Sequence, residues 1–207
     1  MRKTSNWIWF IVFIGIFFTI PIYGTLLHEV GHYLMAVIYN QPAGIAYAYT
    51  YIIDPYILTN EQYFWFIVGG PVSTWVTSGI GLTFILWKYR SMHSESVETV
   101  GYGQTLATIA AAFGLRFVFN AGGYLLFTTI GGNPSSMDEV KIANHLGFSP
   151  DIMVYGSAIL ALVIVLMALY YIPSHQRYFI LLAGLIGGAL GYTFWYYWAG
   201  LLLLPLP

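Results

Sequence analysis

The chain has 207 residues, of which 58% are hydrophobic, 19% aromatic and only 7% charged, with a mean hydropathy of +0.72. That composition excludes an ordinary soluble domain, in which about a quarter of the residues are charged, and the net charge of −1 excludes nucleic acid, which is bound by basic surfaces. With no cysteine there can be no disulfide, iron–sulfur cluster, thiolate zinc site or cysteine nucleophile, so any zinc must be held by His, Asp or Glu.

The first charge-free run, Trp7–Leu27, follows Arg2-Lys3 and is not trailed by a small-x-small cleavage pattern; its apolar character continues to Tyr39. Two crossings joined by a turn need about 40 residues, so Trp7–Tyr39 reads as one long helix bent near Pro21 and Gly24. A split near Tyr23 is the alternative. Late in this helix stands His28-Glu29-Val30-Gly31-His32. Residues four apart share a helix face, so His28 and His32 can hold one tetrahedral ion while Glu29 reaches a water as general base. Ionisable groups at membrane depth cost on the order of 3 kcal/mol each unless they are partnered or line a cavity, and a metal site explains all three at once.

The connection Asn40–Tyr63 alternates Ile45, Tyr47, Tyr49 and Tyr51 with Ala46, Ala48 and Thr50, a period-2 pattern that predicts a strand beside the histidines. A tyrosine-rich loop at the headgroup level is the other reading. A strand with a free edge could hold an extended substrate by backbone pairing.

Further spans are expected at Phe64–Trp87, Gln104–Ile130, Ile152–Ile172 and Tyr178–Pro207, giving five in all, or six if the first run is split. Gly69, Gly70, Gly79, Gly122 and Gly123 are expected where helices pack closely. Arg116 interrupts the third span; it reads first as a structural arginine bonded to carbonyls, and otherwise as a partner of a site carboxylate or oxyanion.

A metal held by two histidines needs a third ligand. Asn133–Val140 follows the third span as a turn leading into a short helix, capped by Ser135 or Ser136 and carrying Asp138 and Glu139 in its first turn. With five spans the late part of the first helix and Asp138 emerge on one side of the membrane; with six they do not. Glu61 is the rival ligand, Glu139 a further one, while His93, His145 and His175 read as surface. The long HExxHxxGxxH route is closed, because Met35 and Tyr39 stand at its glycine and third histidine.

These residues resemble the site-2 protease group of intramembrane metalloproteases. The resemblance rests on His28-Glu29-Val30-Gly31-His32, on Gly69-Gly70-Pro71 in the next span, and on an aspartate after a proline turn, covering roughly residues 20–140. It implies zinc ligands His28, His32 and Asp138 with Glu29 as the base. Thr74 stands where the family's second motif usually has asparagine, and Glu139 where its aspartate motif has glycine, as in a divergent branch.

The expectation is an all-α polytopic membrane protein with about five transmembrane helices and a short membrane-associated β segment after the first. One domain covers 1–207, its core at 7–146 and additional spans at 152–172 and 178–204. The expected function is hydrolysis of peptide bonds in or near membrane-spanning segments, with Zn2+ as cofactor, Thr74, Tyr47 and Tyr49 touching substrate, and a multi-pass location in the cell membrane. Partners are a membrane-protein or peptide substrate and the lipid bilayer, with no nucleic acid; oligomeric state is not written in the sequence. The rival functions are a non-proteolytic zinc-binding or transport protein and a prenyl-protein-type peptidase with a glutamate ligand. With an inside N-terminus, Arg2, Lys3, Lys88, Arg90 and Arg177 lie inside and Lys141 outside, which puts the site toward the extracytoplasmic face; the resemblance implies a site nearer the cytoplasm.

Overall fold

A computed structural model describes residues 6–54, 58–90, 102–172 and 174–205. Arg2, Lys3 and His93 lie outside them, as do the side chains of Arg90 and His175. The described chain is largely helical. Four stretches, Trp7–Ile38, Thr105–Thr129, Pro150–Tyr170 and Gln176–Leu203, are long and apolar enough to cross a membrane. A helix is the natural form for such segments, because it satisfies every backbone amide internally where no water can.

Helix α1, Asn6–Ile38, runs 33 residues, about 50 Å, and is continuous through Pro21. No split occurs near Tyr23. Strands β1 (Ala43–Ile45) and β2 (Thr50–Ile52) follow as an antiparallel hairpin with Gly44 opposite Tyr51. The alternating segment is thus not one strand over Ile45–Tyr51: Ala46–Tyr49 forms the turn, closed by an Ala46 N–H to Tyr49 carbonyl bond of 2.9 Å. Helix α2, Asn60–Arg90, opens with a reciprocal cap in which Thr59 N–H donates to Gln62 Oε1 and Gln62 N–H donates to Thr59 Oγ1.

The expected span Gln104–Ile130 is two helices, α3 (Tyr102–Ala112) and α4 (Leu115–Thr129), broken at Phe113-Gly114. The break places Arg116 in the first turn of α4. A short α5 (Asp138–Leu146) precedes α6 (Pro150–Tyr170) and α7 (Ser174–Phe194), and α7 continues through a π-helical turn, Trp195–Ala199, into α8 (Gly200–Leu203).

Packing sorts the helix ends into two groups. Phe13 and Phe17 of α1 meet Ala112, Leu169, Ile172, Ile180 and Ala183, and the nearby Ile85 near the end of α2 meets Ala107 and Ala168. At the other end Ala36 of α1 meets Phe66 and Ile67 near the start of α2 and Ile142 of α5. Consecutive long helices therefore run up and down, and the late part of α1, the hairpin and α5 come together.

Candidate metal centre

His28 and His32 stand one turn apart on α1, both buried. His28 Nε2 lies 2.9 Å from Asp138 Oδ2; His32 Nε2 lies 3.2 Å from that oxygen and 3.2 Å from His28 Nε2. The other ring nitrogens assign the tautomers. His32 Nδ1 is 2.7 Å from the Phe66 carbonyl, which can only accept, so Nδ1 carries the proton. His28 Nδ1 is 3.0 Å from Thr74 Oγ1, whose own proton goes to the Gly70 carbonyl, so here too the imidazole donates from Nδ1. With both imidazoles neutral, the two Nε2 lone pairs converge on the oxygen of Asp138. Three acceptors in mutual contact repel unless a proton or a cation lies among them. A tetrahedral zinc with ligands about 2.0–2.1 Å away sets those atoms roughly 3.3 Å apart, close to the separations seen, so His28, His32 and Asp138 fit the ion. The Phe66 carbonyl and the Thr74 hydroxyl are the outer partners that orient such ligands.

Glycines make the approach possible. A Cβ on Gly31 would strike the Gly69 carbonyl and one on Gly69 would strike the Gly31 carbonyl, so α1 and α2 touch by backbone there. A Cβ on Gly70 would lie 2.6 Å from His28 Nε2 and would collide with His32 Nε2. Gly79 and Gly122 do not share this role, since open space surrounds both, and Gly123 meets only the Met137 methyl at 3.4 Å.

Asp138 is the first residue of α5, after an N-cap at Met137 in extended conformation. Neither Ser135 nor Ser136 caps the helix; instead Asn133 Oδ1 accepts from Ser135 N–H at 2.9 Å, a local turn that sets the approach to α5. Glu139 points elsewhere: it is buried and takes a 3.0 Å bond from Asn120 Nδ2. Burial, and then the charge of Asp138, push its carboxyl up.

Glu29 faces the same space, with a carboxylate oxygen within 4.8 Å of a ring nitrogen from each histidine. Thr50 Oγ1, on β2, lies 3.1 Å from Glu29 Oε2 and 2.8 Å from the Glu29 carbonyl, and Arg116 Nη2 lies 3.8 Å from Glu29 Oε1. The reading of Arg116 as an arginine bonded to carbonyls gives way to this placement beside the motif carboxylate. A cleft of about 590 Å³ opens at Glu29, His32 and Asp138, lined also by β2 and by Arg116, Asn120 and Lys141.

Tyr49 lines that cleft and is exposed. Thr74 and Tyr47 do not line it: Thr74 is buried behind His28, and Tyr47 is engaged through its backbone, its N–H donating to the Leu204 carbonyl and its carbonyl accepting from Trp195 Nε1. Glu61 is exposed in the first turn of α2, outside the cleft. His145 is exposed and stacks on Phe64 at 4.2 Å. The roles of Thr50 and of the Phe66 carbonyl went unread in the sequence, because one threonine among 18 tyrosines and many threonines carries no signal and a backbone carbonyl carries none.

No family model, curated protein or solved structure matches the chain.

Proposed function

We propose that this chain is an intramembrane zinc metalloprotease of the cell membrane, similar to the site-2 protease group, with α2 as a fifth crossing beside the four more apolar ones. The observation that carries the reading is the convergence of two imidazole Nε2 atoms and one carboxylate oxygen beside a second carboxylate, with Glu29, His32 and Asp138 lining a cleft. His28, His32 and Asp138 would hold the zinc. When bound, the ion would supply Lewis-acid polarisation of a carbonyl and acidify water.

Glu29 takes the proton from the attacking water and passes it to the leaving nitrogen as the C–N bond breaks. Thr50 orients Glu29 through its hydroxyl. The hairpin supports an extended substrate. Bonds from Ile53 N–H to the Pro42 carbonyl and from Ala46 N–H to the Tyr49 carbonyl set the antiparallel alternation, so the amides of Thr50 and Ile52 turn away from β1. With Thr50 and Ile52 lining the cleft, that edge is available to an unwound membrane segment. A helical substrate hides its amides in its own bonds, so cleavage is expected near helix-breaking Gly, Pro or Asn.

The test is zinc content and hydrolysis of a membrane-embedded test substrate by protein purified without chelator. About one zinc per chain is expected. Glu29→Gln keeps it while hydrolysis falls by orders of magnitude. Full retention of zinc in a His28→Ala, His32→Ala double variant, or unchanged hydrolysis in Glu29→Gln, sinks the proposal.

A further inference from the structure

Arg116 is a cation beside Glu29 that the proposed mechanism has not used. Its side chain is 22% exposed and lines the cleft, while its Nε is buried without a hydrogen-bond partner among the described residues. The 3.8 Å approach to Glu29 is an ion pair but exceeds the roughly 2.7–2.9 Å of a charge-assisted hydrogen bond, and Glu29 already has Thr50 on its other oxygen. An arginine at membrane depth whose donors are unspent in the resting protein is costly unless something arrives to use them.

Hydrolysis of an amide creates such a group. As the water oxygen adds to the carbonyl carbon and its proton passes to Glu29, the carbonyl π pair moves onto the carbonyl oxygen, which becomes an anion; when the C–N bond breaks, that pair returns and the proton goes to nitrogen. We propose that Arg116 is a catalytic residue that donates N–H bonds to this developing oxyanion. The inference rests on the metalloprotease reading. The α3–α4 break at Phe113-Gly114 is what delivers it: the turn restarts the helix and sets Arg116 in its first turn, where it lines the same cleft as Thr50 and Ile52 of β2.

The experiment uses the full chain in detergent, loaded with cobalt, and compares the parent with Arg116→Met and Arg116→Lys. Inorganic phosphate serves as a tetrahedral oxyanion probe and imidazole as a neutral ligand, both followed in the visible cobalt spectrum. Phosphate affinity is expected to fall at least tenfold in Arg116→Met and less in Arg116→Lys, with imidazole affinity unchanged. On the membrane-embedded test substrate, kcat of Arg116→Met falls about 10²–10³-fold, the usual loss for one oxyanion donor, with KM within a few-fold. Equal phosphate affinity in parent and Arg116→Met, no phosphate binding by the parent, or a loss confined to KM overturns the assignment. Failure of the parent to take up cobalt strikes the metalloprotease reading itself, and so is distinguishable from failure of the arginine alone.

Discussion

The two ends of this helical bundle are held by different physics. At the end where α1 begins, Phe13, Phe17, Ile172, Ile180 and Ala183 make an apolar cluster in which contacts are non-directional. At the end where α1 finishes, polar atoms of His28, His32, Asp138, Glu29, Thr50, Thr74 and the Phe66 carbonyl meet at 2.7–3.2 Å, in contacts that depend on direction. In lipid the apolar cluster gains van der Waals contact rather than relief from water, so its side chains are exchangeable within limits of volume. The polar end has no such latitude, because each substitution leaves a buried donor or acceptor without its partner.

The largest contrast is expected at the third ligand. Asp138→Ala should strip zinc during dialysis against a weak chelator, whereas Glu139→Ala and Glu61→Ala retain it, because only Asp138 reaches both imidazoles. Equal zinc in Asp138→Ala and the parent would remove Asp138 from the site.

A matched pair of glycine substitutions compares the ends directly. Gly70→Ala drives a methyl into the two Nε2 atoms and should abolish zinc binding in metal titration. Gly184→Ala meets only the Phe17 ring at 3.5–3.7 Å, an ordinary contact, and should leave zinc untouched and thermal stability equal or slightly raised. If both variants behave alike, the ends do not differ as described.

A subtler loss is expected behind the ligands. Thr74→Val keeps the shape but removes the acceptor of His28 Nδ1–H, and zinc affinity should fall about 10–100-fold, as for other outer-sphere partners. Unchanged affinity would make Thr74 mere packing. The smallest effect concerns the hairpin edge: Ile52→Pro removes one outward amide and should slow cleavage of the membrane-embedded substrate severalfold without releasing zinc. Cleavage at the parental rate would mean that β2 does not present substrate.

Much of the architecture is written locally. Long runs without charge are helices because no other backbone form satisfies itself in an apolar medium, and the extents of α1, of α6 and of the continuous run from α7 to α8 follow from that, to within a few residues, from composition alone. The break between α3 and α4 was not legible: Phe113-Gly114 sits in an apolar run that a 20-residue window reads as continuous, and one glycine does not by itself stop a helix. The hairpin was half legible. Period 2 marks extended backbone but says nothing about where the chain reverses, so Ala46–Tyr49 was read as strand when it is turn.

The same division holds in the site. Spacing alone determined that His28 and His32 share a face, with Glu29 beside them, since four residues make about one helical turn. Nothing local could decide that Thr74 would stand behind His28 rather than toward the cleft, that a carbonyl from α2 would orient His32, that Thr50 would reach Glu29 from a hairpin, or that Arg116 would approach the other oxygen of Glu29. Those facts depend on how closely α1 and α2 approach at Gly31 and Gly69 and on where α4 restarts. A helix determines the relative directions of its own side chains; which partners they meet is decided by contacts between segments as far as 110 residues apart, as between His28 and Asp138.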